Sequence, residues 1–446
     1  MNSALLRASI IAALGGLLFG FDTAVISGTT DQLREIFGLT ANTLGFTVAS
    51  ALIGTIFGAW LSSKPSDVLG RRKTLSWIAV LYFVSAVGCA IAWDWYFLLA
   101  FRFIGGLSVG ASSVVAPMYI AEISPPAFRG RLVAITQFNI VLGILVAYMS
   151  NYIVAQMAFG TAEWRVMFGI EAVPAAMFFF LLFGTPRSPR WLVAQGRRDE
   201  AVRVLEAVGA ESVEKTVAEI EESLALERHS TQEPLFQQAY NKPVMLAFAI
   251  ATFNQLSGIN ALMYYAPQIF QMAGAGADSA LLQAVLVGGL NLVVTMCALL
   301  VIDRFGRKKL MIVGSVGYIL SLAATAAAFY TYGTDFDDFG SIVVLVSLLV
   351  FIASHAFGQG AVIWVFLSEI FPNRVRARGQ AFGSFIHWFF AAAISWTFPI
   401  IAEVSGGHIF AFYSAMMVLQ LIWVLKVMPE TKGVPLEEIQ RRLGIE

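Results

Sequence analysis

Three ionisable residues sit inside apolar runs: Asp22 in "LLFGFDTAVISG", Arg102 in "LLAFRFIGG" and Glu171 in "VMFGIEAVPAA". A charge at the centre of a bilayer costs at least ~2.5 kcal/mol, so such residues are functional candidates by default. A carboxylate beside a fixed cation keeps its charge, whereas one left alone in apolar surroundings takes up a proton. Movement of Arg102 towards or away from Asp22 would therefore release or load a proton, with Glu171 placed to relay it. A purely structural ion pair is the alternative. A second intrusion is "FIASHAFGQGAVIW" (351–364), where an imidazole, His355, and a carboxamide, Gln359, interrupt a long hydrophobic stretch.

The surroundings explain why these groups stand out. Of 446 residues, 58% are hydrophobic and 13% charged, and the mean hydropathy is +0.74, far from a soluble globular composition. Apolar runs of roughly twenty residues, enough to span ~30 Å of hydrocarbon, begin near Leu6, Thr43, Leu75, Trp95, Leu132, Arg165, Pro243, Ala280, Leu310, Ser341, Ala377 and His408. The expected fold is an all-α membrane protein of about twelve transmembrane helices. The expected organisation is an N-terminal six-helix half (1–185), a cytoplasmic helical linker (186–242), a C-terminal six-helix half (243–428) and a cytoplasmic tail (429–446). The first apolar run continues to about Ile26, too long for a cleaved signal's apolar core, and is read as the first helix.

Twenty-nine basic and twenty-nine acidic residues cancel, so net charge points to no partner and nucleic acid is not expected. Their placement is informative. With the amino terminus inside, "LGRRKT", "FRGR", "FGRKK" and "RVRARG" all fall on the inner side, leaving Arg34 and Arg165 as the basic residues of outer loops. The positive-inside rule then puts both termini in the cytoplasm. Cys89 and Cys297 lie in apolar runs, which supports neither a disulfide framework nor a metal site, and no cofactor is expected beyond the proton as coupling ion.

Two stretches recur in the second half in the same order: "SDVLGRRKTL" with "IDRFGRKKL", and "YIAEISPPAFRGRLVAITQF" with "FLSEIFPNRVRARGQAFGSF". A repeat at near-constant offset is the parallel duplication found in transporters whose site lies between two halves. Asp67 and Asp303 stand beside Arg71, Arg72 and Arg307. Glu122 and Glu369 precede Arg129 and Arg376, and Glu430 lies in the terminal "PETKG". Salt bridges among these residues could form between the halves and act as a gate. A solvated loop with incidental pairs is the alternative.

The duplicated D-x-x-GRR/GRK loops, "PMYIAEISPPAFRG", "PRSPRWL", "NQLSGINALMYYAP" and "PETKG" together resemble the sugar porter branch of the major facilitator superfamily. The resemblance implies a monosaccharide carrier working by alternating access in the inner membrane of a bacterial cell as a monomer. It also implies proton symport, because Asp22, Arg102 and Glu171 match the coupling positions of bacterial proton-linked members. Sugar binding needs neutral polar groups for hydroxyls and aromatic faces for the ring. The seventh helix offers Asn254, Gln255, Asn260 and Tyr264. Gln137, Asn291 and Trp364 match further binding positions of sugar porters, Phe19 and Trp388 match aromatic ones, and Gln359 and Gly360 are substrate-binding candidates beside Trp364. A lone amide in a membrane helix is otherwise most often an interhelical hydrogen bond.

Several positions depart from the bacterial xylose and glucose porters. Asn254 stands for a usual Gln, Ile144 for a polar residue, His355 for an aromatic one and His387 for a Gln or Asn. An apolar residue at Ile144, with His355 and His387, resembles the fructose carriers of the animal facilitators, so D-fructose is the expected substrate. Trp364 does not fit that pattern, and D-xylose or D-glucose is the alternative. Arg187 in "PRSPR" replaces the family's acidic residue, which should rewire the gate locally. A transport-inactive sugar sensor is a further alternative, whereas a membrane enzyme finds no nucleophile–base pair, phosphate loop or metal cluster to support it.

Overall fold

The chain is described by a computed structural model covering residues 2–445 other than 211, 230–232, 373 and 435, with the side chains of 126, 127, 226–229, 303, 436 and 437 also left aside. Every element among the described residues is helical. Twelve of those helices are long and apolar enough to cross a bilayer. Numbered in order, spans 1 to 6 are Ser3–Gly28, Ala41–Leu61, Arg71–Ala90, Trp95–Ile123, Phe128–Gln156 and Gly160–Leu182. Spans 7 to 12 are Gln238–Met272, Ala277–Ile302, Arg307–Tyr332, Asp338–Glu369, Arg376–Val404 and Gly406–Lys426. In hydrocarbon each backbone N–H and C=O needs an internal partner, and a helix supplies one without help from its neighbours. Large apolar side chains face outward, as at Trp60, Leu300 and Val404 (75%, 78% and 78% exposed), which only lipid could cover. The protein is a multi-pass membrane protein. Between spans 6 and 7 the polar insert forms the helices Pro189–Ala194, Arg198–Ala207 and Val213–His229.

Two compact units can be distinguished. The first comprises residues 1–25, 53–150 and 159–231, and the second residues 26–52, 151–158 and 232–446. The first has its core around Leu75, Tyr82, Val115, Tyr119 and Phe178. Spans 2 and 4 cross there with almost no side chain between them. A Cβ on Gly58 would lie 2.2 Å from the Leu107 carbonyl oxygen, and one on Gly110 2.1 Å from that of Thr55. Small residues allow this approach, and the gain is van der Waals contact, since lipid offers no hydrophobic drive between helices.

The core of the second unit gathers Ile250, Met311, Val362, Phe366 and Phe371. Two of its spans are broken. Span 7 consists of the helices Asn241–Leu256 and Ile259–Met272, joined at Gly258, whose φ of +84° is a left-handed conformation. Span 10 consists of Asp338–Phe357 and Gln359–Glu369, interrupted at Gly358. At the ends of the spans away from these inserts and repeats, Asn42 accepts from the Trp396 indole at 2.9 Å, and Gln271 donates to Asp31 at 3.0 Å. Arg34 also pairs with Glu403. That last pair is exposed and contributes little by itself.

The break at Gly258 yields a test. A side chain there meets both the left-handed backbone, worth roughly 1–2 kcal/mol against a non-glycine residue, and the Tyr413 ring, 2.4 Å from the Cβ position. Gly258→Ala is expected to lower the Tm of the detergent-solubilised protein, measured by intrinsic fluorescence, by more than Ala substitution at Gly289, where a Cβ meets nothing.

Candidate functional site

Span 1 carries Asp22 and span 4 carries Arg102, and the structure of the first unit joins them. The Arg102 guanidinium donates to Asp22 Oδ1 at 2.8 Å, with side-chain exposures of 1% and 4%. Arg102 also lies over the Phe168 ring, 5.6 Å from its centroid. Glu171, 2% exposed, lies at the junction where span 6 changes from the helix Glu163–Ile170 to Ala172–Leu182, its N–H turned to the Phe168 carbonyl. It is within electrostatic reach of both Asp22 and Arg102. Gly105 keeps the space beside Asp22 open, since a Cβ there would come within 3.3 Å of Oδ1. One carboxylate thus pairs with the guanidinium and a second lies within electrostatic reach of it, in a dry interior. Two negative charges and one positive cannot all be retained there at low cost.

Phe19, Gln137 and Ile144 belong to the same unit. Span 5 packs backbone to backbone on span 1, because the Cβ position of Gly20 lies within 2.9 Å of the Ile144 nitrogen. This brings Ile144, 7% exposed, next to the turn that carries Phe19.

The second unit assembles most of the other expected residues. The Gln255 carboxamide donates to Asn254 Oδ1 at 3.0 Å and approaches His387 Nε2 at 3.2 Å, while its oxygen accepts from Asn260 at 2.9 Å. His387 stacks between aromatics, its ring centroid 5.0 Å from that of Trp364 and 4.9 Å from that of Trp388. The break at Gly258 allows this grouping by bringing Gln255 and Asn260 together across the joint of span 7. Trp364 remains 40% exposed, an aromatic face beside a chain of amides. Tyr264 is buried nearby in sequence (3% exposed). Asn291 is committed locally, accepting from Thr295 at 3.3 Å.

His355 has a different setting from His387. Its Nδ1 bonds the hydroxyl of Tyr318 on span 9, so one ring nitrogen is occupied within the protein, although His387 is within electrostatic reach. Gln359 is 1% exposed at the start of the second half of span 10, next to the break, and Gly360 follows it with its Cβ position 3.3 Å from His355 Nε2. Sequence reading did not identify Tyr318. Its one signal is a hydroxyl within an apolar run.

At the repeated loops, Arg71 binds Glu122 at 2.9 Å and Asp67 at 3.1 Å, and Ser188 donates to Glu122. Arg307 binds Glu369 at 2.8 Å, and Thr431 donates to Glu369 at 2.6 Å. Arg71 and Arg307 thus find their carboxylates within their own unit. Arg72 donates to the Thr185 carbonyl at 2.8 Å. Arg129 and Arg376 turn back to the carbonyls of Ala121 and Phe371, at 3.1 and 3.3 Å, and cap the ends of spans 4 and 10. The side chain of Asp303 lies outside the described residues. Glu430 accepts from the backbone N–H groups of Arg307 at 2.9 Å and Lys308 at 3.0 Å, at the positive end of span 9. Burial alone would raise its carboxyl, but the N–H groups of Lys432, Arg307, Lys308 and Thr431 outweigh this and hold it below the usual range.

Twelve spans, a duplicated loop architecture and polar clusters held inside apolar helices are the features of a membrane transporter, not of an enzyme. Residues 8–443 match the family described as sugar (and other) transporter, and the chain belongs to that family. It is 38% identical to the D-xylose-proton symporter of Escherichia coli strain K12, over 98% of this chain and 96% of that one. It is 36% identical to the arabinose-proton symporter of Bacillus subtilis, over 97% and 94%. Among solved structures it is similar to the inward-open conformation of the xylose transporter XylE from E. coli, with a TM-score of 0.87, 36% identity and coverage of 98% of this chain and 99% of that one.

Replacing the helix-end carboxylate Glu430 with Ala should cost about 1–2 kcal/mol, the scale of a lost N-cap. Because its carboxyl is held low, that contribution is complete above the ordinary glutamate range and is lost only as pH falls through the lowered value. The Tm difference between wild type and Glu430→Ala is therefore expected to be constant around neutrality and to shrink below pH ~4, as read by thermal unfolding across a pH series.

Proposed function

We propose that this chain is a proton-coupled monosaccharide symporter working by alternating access, and the buried Asp22–Arg102 pair at 2.8 Å carries the reading. Asp22 is the proton carrier. When Arg102 is in contact, the carboxylate keeps its charge; when Arg102 withdraws, burial favours the protonated form. Glu171 at the joint of span 6 is the relay. The two repeated halves, residues 1–185 and 243–428, are the moving parts, joined by the helical insert 186–242 and followed by the tail 429–446. The loops bearing Arg71 and Arg307 face the cytoplasm with both termini, in the cell membrane of a bacterium. The ion pairs at those loops hold each half together at its inner end and contribute to gating.

For the substrate, the relatives favour an aldose. The similar proteins include a D-xylose-proton symporter, an arabinose-proton symporter and, at 34% identity, the glucose transport protein of Synechocystis. D-xylose is therefore the first candidate, with arabinose and D-glucose next. D-fructose rests on Ile144, His355 and His387 alone, and Tyr318 already engages one nitrogen of His355. The group Gln255, Asn254, Asn260 and His387, with Trp364 as a ring platform, would take the sugar hydroxyls from one side. Phe19 and Gln137, in the first unit, are further candidates for sugar contact.

Two measurements test this. In proteoliposomes with an inward proton gradient, Asp22→Asn is expected to abolish uphill accumulation of labelled D-xylose while leaving counterflow exchange largely intact; accumulation equal to wild type would refute proton carriage by Asp22. In a competition series against labelled D-xylose, unlabelled arabinose and D-glucose are expected to inhibit more strongly than D-fructose. Preferential inhibition by fructose would restore it as the substrate.

A further inference from the structure

The hydroxyl of Tyr318 on span 9 is bonded to Nδ1 of His355 on span 10. The tyrosine is fully buried, its ring centroid 6.1 Å from that of the imidazole and 5.3 Å from that of Phe351. Close backbone contact fixes the two spans against each other at this level. A Cβ on Gly314 would lie 3.0 Å from the Gly358 Cα and 3.0 Å from the Ser354 carbonyl oxygen, and one on Gly317 would lie 2.0 Å from Ser354 Oγ. Tyr318 follows Gly314 by one helical turn and His355 follows Ser354 directly. Phenol and imidazole therefore meet across an interface with little freedom to slide.

The two nitrogens of His355 are made unequal by this bond. A neutral imidazole carries one hydrogen, and the partner of one nitrogen decides where it resides. The phenol is the stronger acid of the pair and the imidazole nitrogen the stronger base, so Tyr318 donates to Nδ1 and the ring hydrogen stays on Nε2. Ser257 is within reach of the same hydroxyl. Its own proton goes to the Asn254 carbonyl at 2.6 Å and its oxygen accepts from the Ile259 N–H at 3.3 Å, which leaves the imidazole as the acceptor for the phenol. Nε2 has no hydrogen-bond partner among the described residues. It faces Gly360, whose Cβ position lies 3.3 Å from Nε2 and 3.2 Å from Cδ2, so a side chain at 360 would cover it. Gly360 is one turn from Trp364, whose ring lies against His387, and His387 is within electrostatic reach of His355. The uncovered edge thus lies with the polar cluster of Gln255 and His387.

We propose that Tyr318 is a positioning residue for sugar recognition: its hydroxyl holds His355 in the tautomer with hydrogen on Nε2, so the ring presents a donor, and only a donor, to a sugar hydroxyl. This rests on reading the polar cluster of the second unit as the sugar site. A hydroxyl that meets Nε2 must offer its oxygen, which leaves its own hydrogen for an acceptor elsewhere. Without Tyr318 the ring could carry its hydrogen on either nitrogen, and part of the population would turn a lone pair to the sugar instead.

The test reads the tautomer and the sugar separately. Nitrogen-15 spectra are taken of the full chain in nanodiscs without sugar, labelled on its four histidines, with His355 assigned by the signals missing from His355→Phe. Wild type is expected to show His355 with hydrogen on Nε2 alone, and Tyr318→Phe a mixture of the two tautomers. In equilibrium exchange of labelled D-xylose, Tyr318→Phe is expected to raise KM about fivefold, the scale of one neutral hydrogen bond, with the maximal rate unchanged. Placed in a His355→Phe background, the same substitution should raise KM no further, because Tyr318 acts through the imidazole. Should Tyr318→Phe fail to fold, the wild-type tautomer and a raised KM in His355→Phe carry the test. Hydrogen on Nδ1 in wild type, or an unchanged KM in either single variant, would overturn this inference alone. No exchange of D-xylose, arabinose, D-glucose or D-fructose by wild type would overturn the sugar-site reading and this inference with it.

Discussion

In the first unit one contact constrains the spans that make it, the hydrogen-bonded ion pair between Asp22 and Arg102. Neither charge is tolerable alone in a medium without water, so span 1 and span 4 have to present them to each other. That requirement fixes which faces of the two spans meet. It also makes the pair sensitive to displacement, because separating the partners leaves two uncompensated charges where one neutral unit had been. Glu171 adds a second acid within reach of the same cation. A structural pair would need only two charges. The third charge is what sets this cluster apart from a simple internal clasp.

The polar cluster of the second unit follows a different logic. Amide groups there satisfy one another in a chain from Asn254 through Gln255 to Asn260, with His387 alongside. Neutral donors and acceptors can exchange a protein partner for a sugar hydroxyl at little net cost, since one hydrogen bond replaces another. Charged groups could not, which fits the separation of the ion cluster in one unit from the amide cluster in the other.

Much of this was legible in the sequence because lipid imposes simple rules. Span starts expected at Leu75, Leu132 and Ala377 lie within a turn or so of those observed at Arg71, Phe128 and Arg376, since ~20 apolar residues bounded by charges leave little freedom. Asp22, Arg102 and Glu171 were identifiable because charge within an apolar run is conspicuous. Pairings were harder to read. Glu122 precedes Arg129 by seven residues, yet its cation is Arg71 on span 3, while Arg129 caps backbone carbonyls. The bond from Tyr318 to His355 was equally hidden. Both depend on which helix faces adjoin, and a one-dimensional pattern does not specify that.

The crossing of spans 2 and 4, where glycines meet carbonyl oxygens directly, sets where the protein can deform. An interface made of side chains can relax by exchanging rotamers, but one made of backbone has none to exchange. It is stiff against sliding and against rotation. Spans 7 and 10, interrupted at Gly258 and Gly358, have soft joints in the middle of their length instead. Mechanical compliance is therefore unevenly distributed, with a rigid frame in one unit and hinged levers in the other.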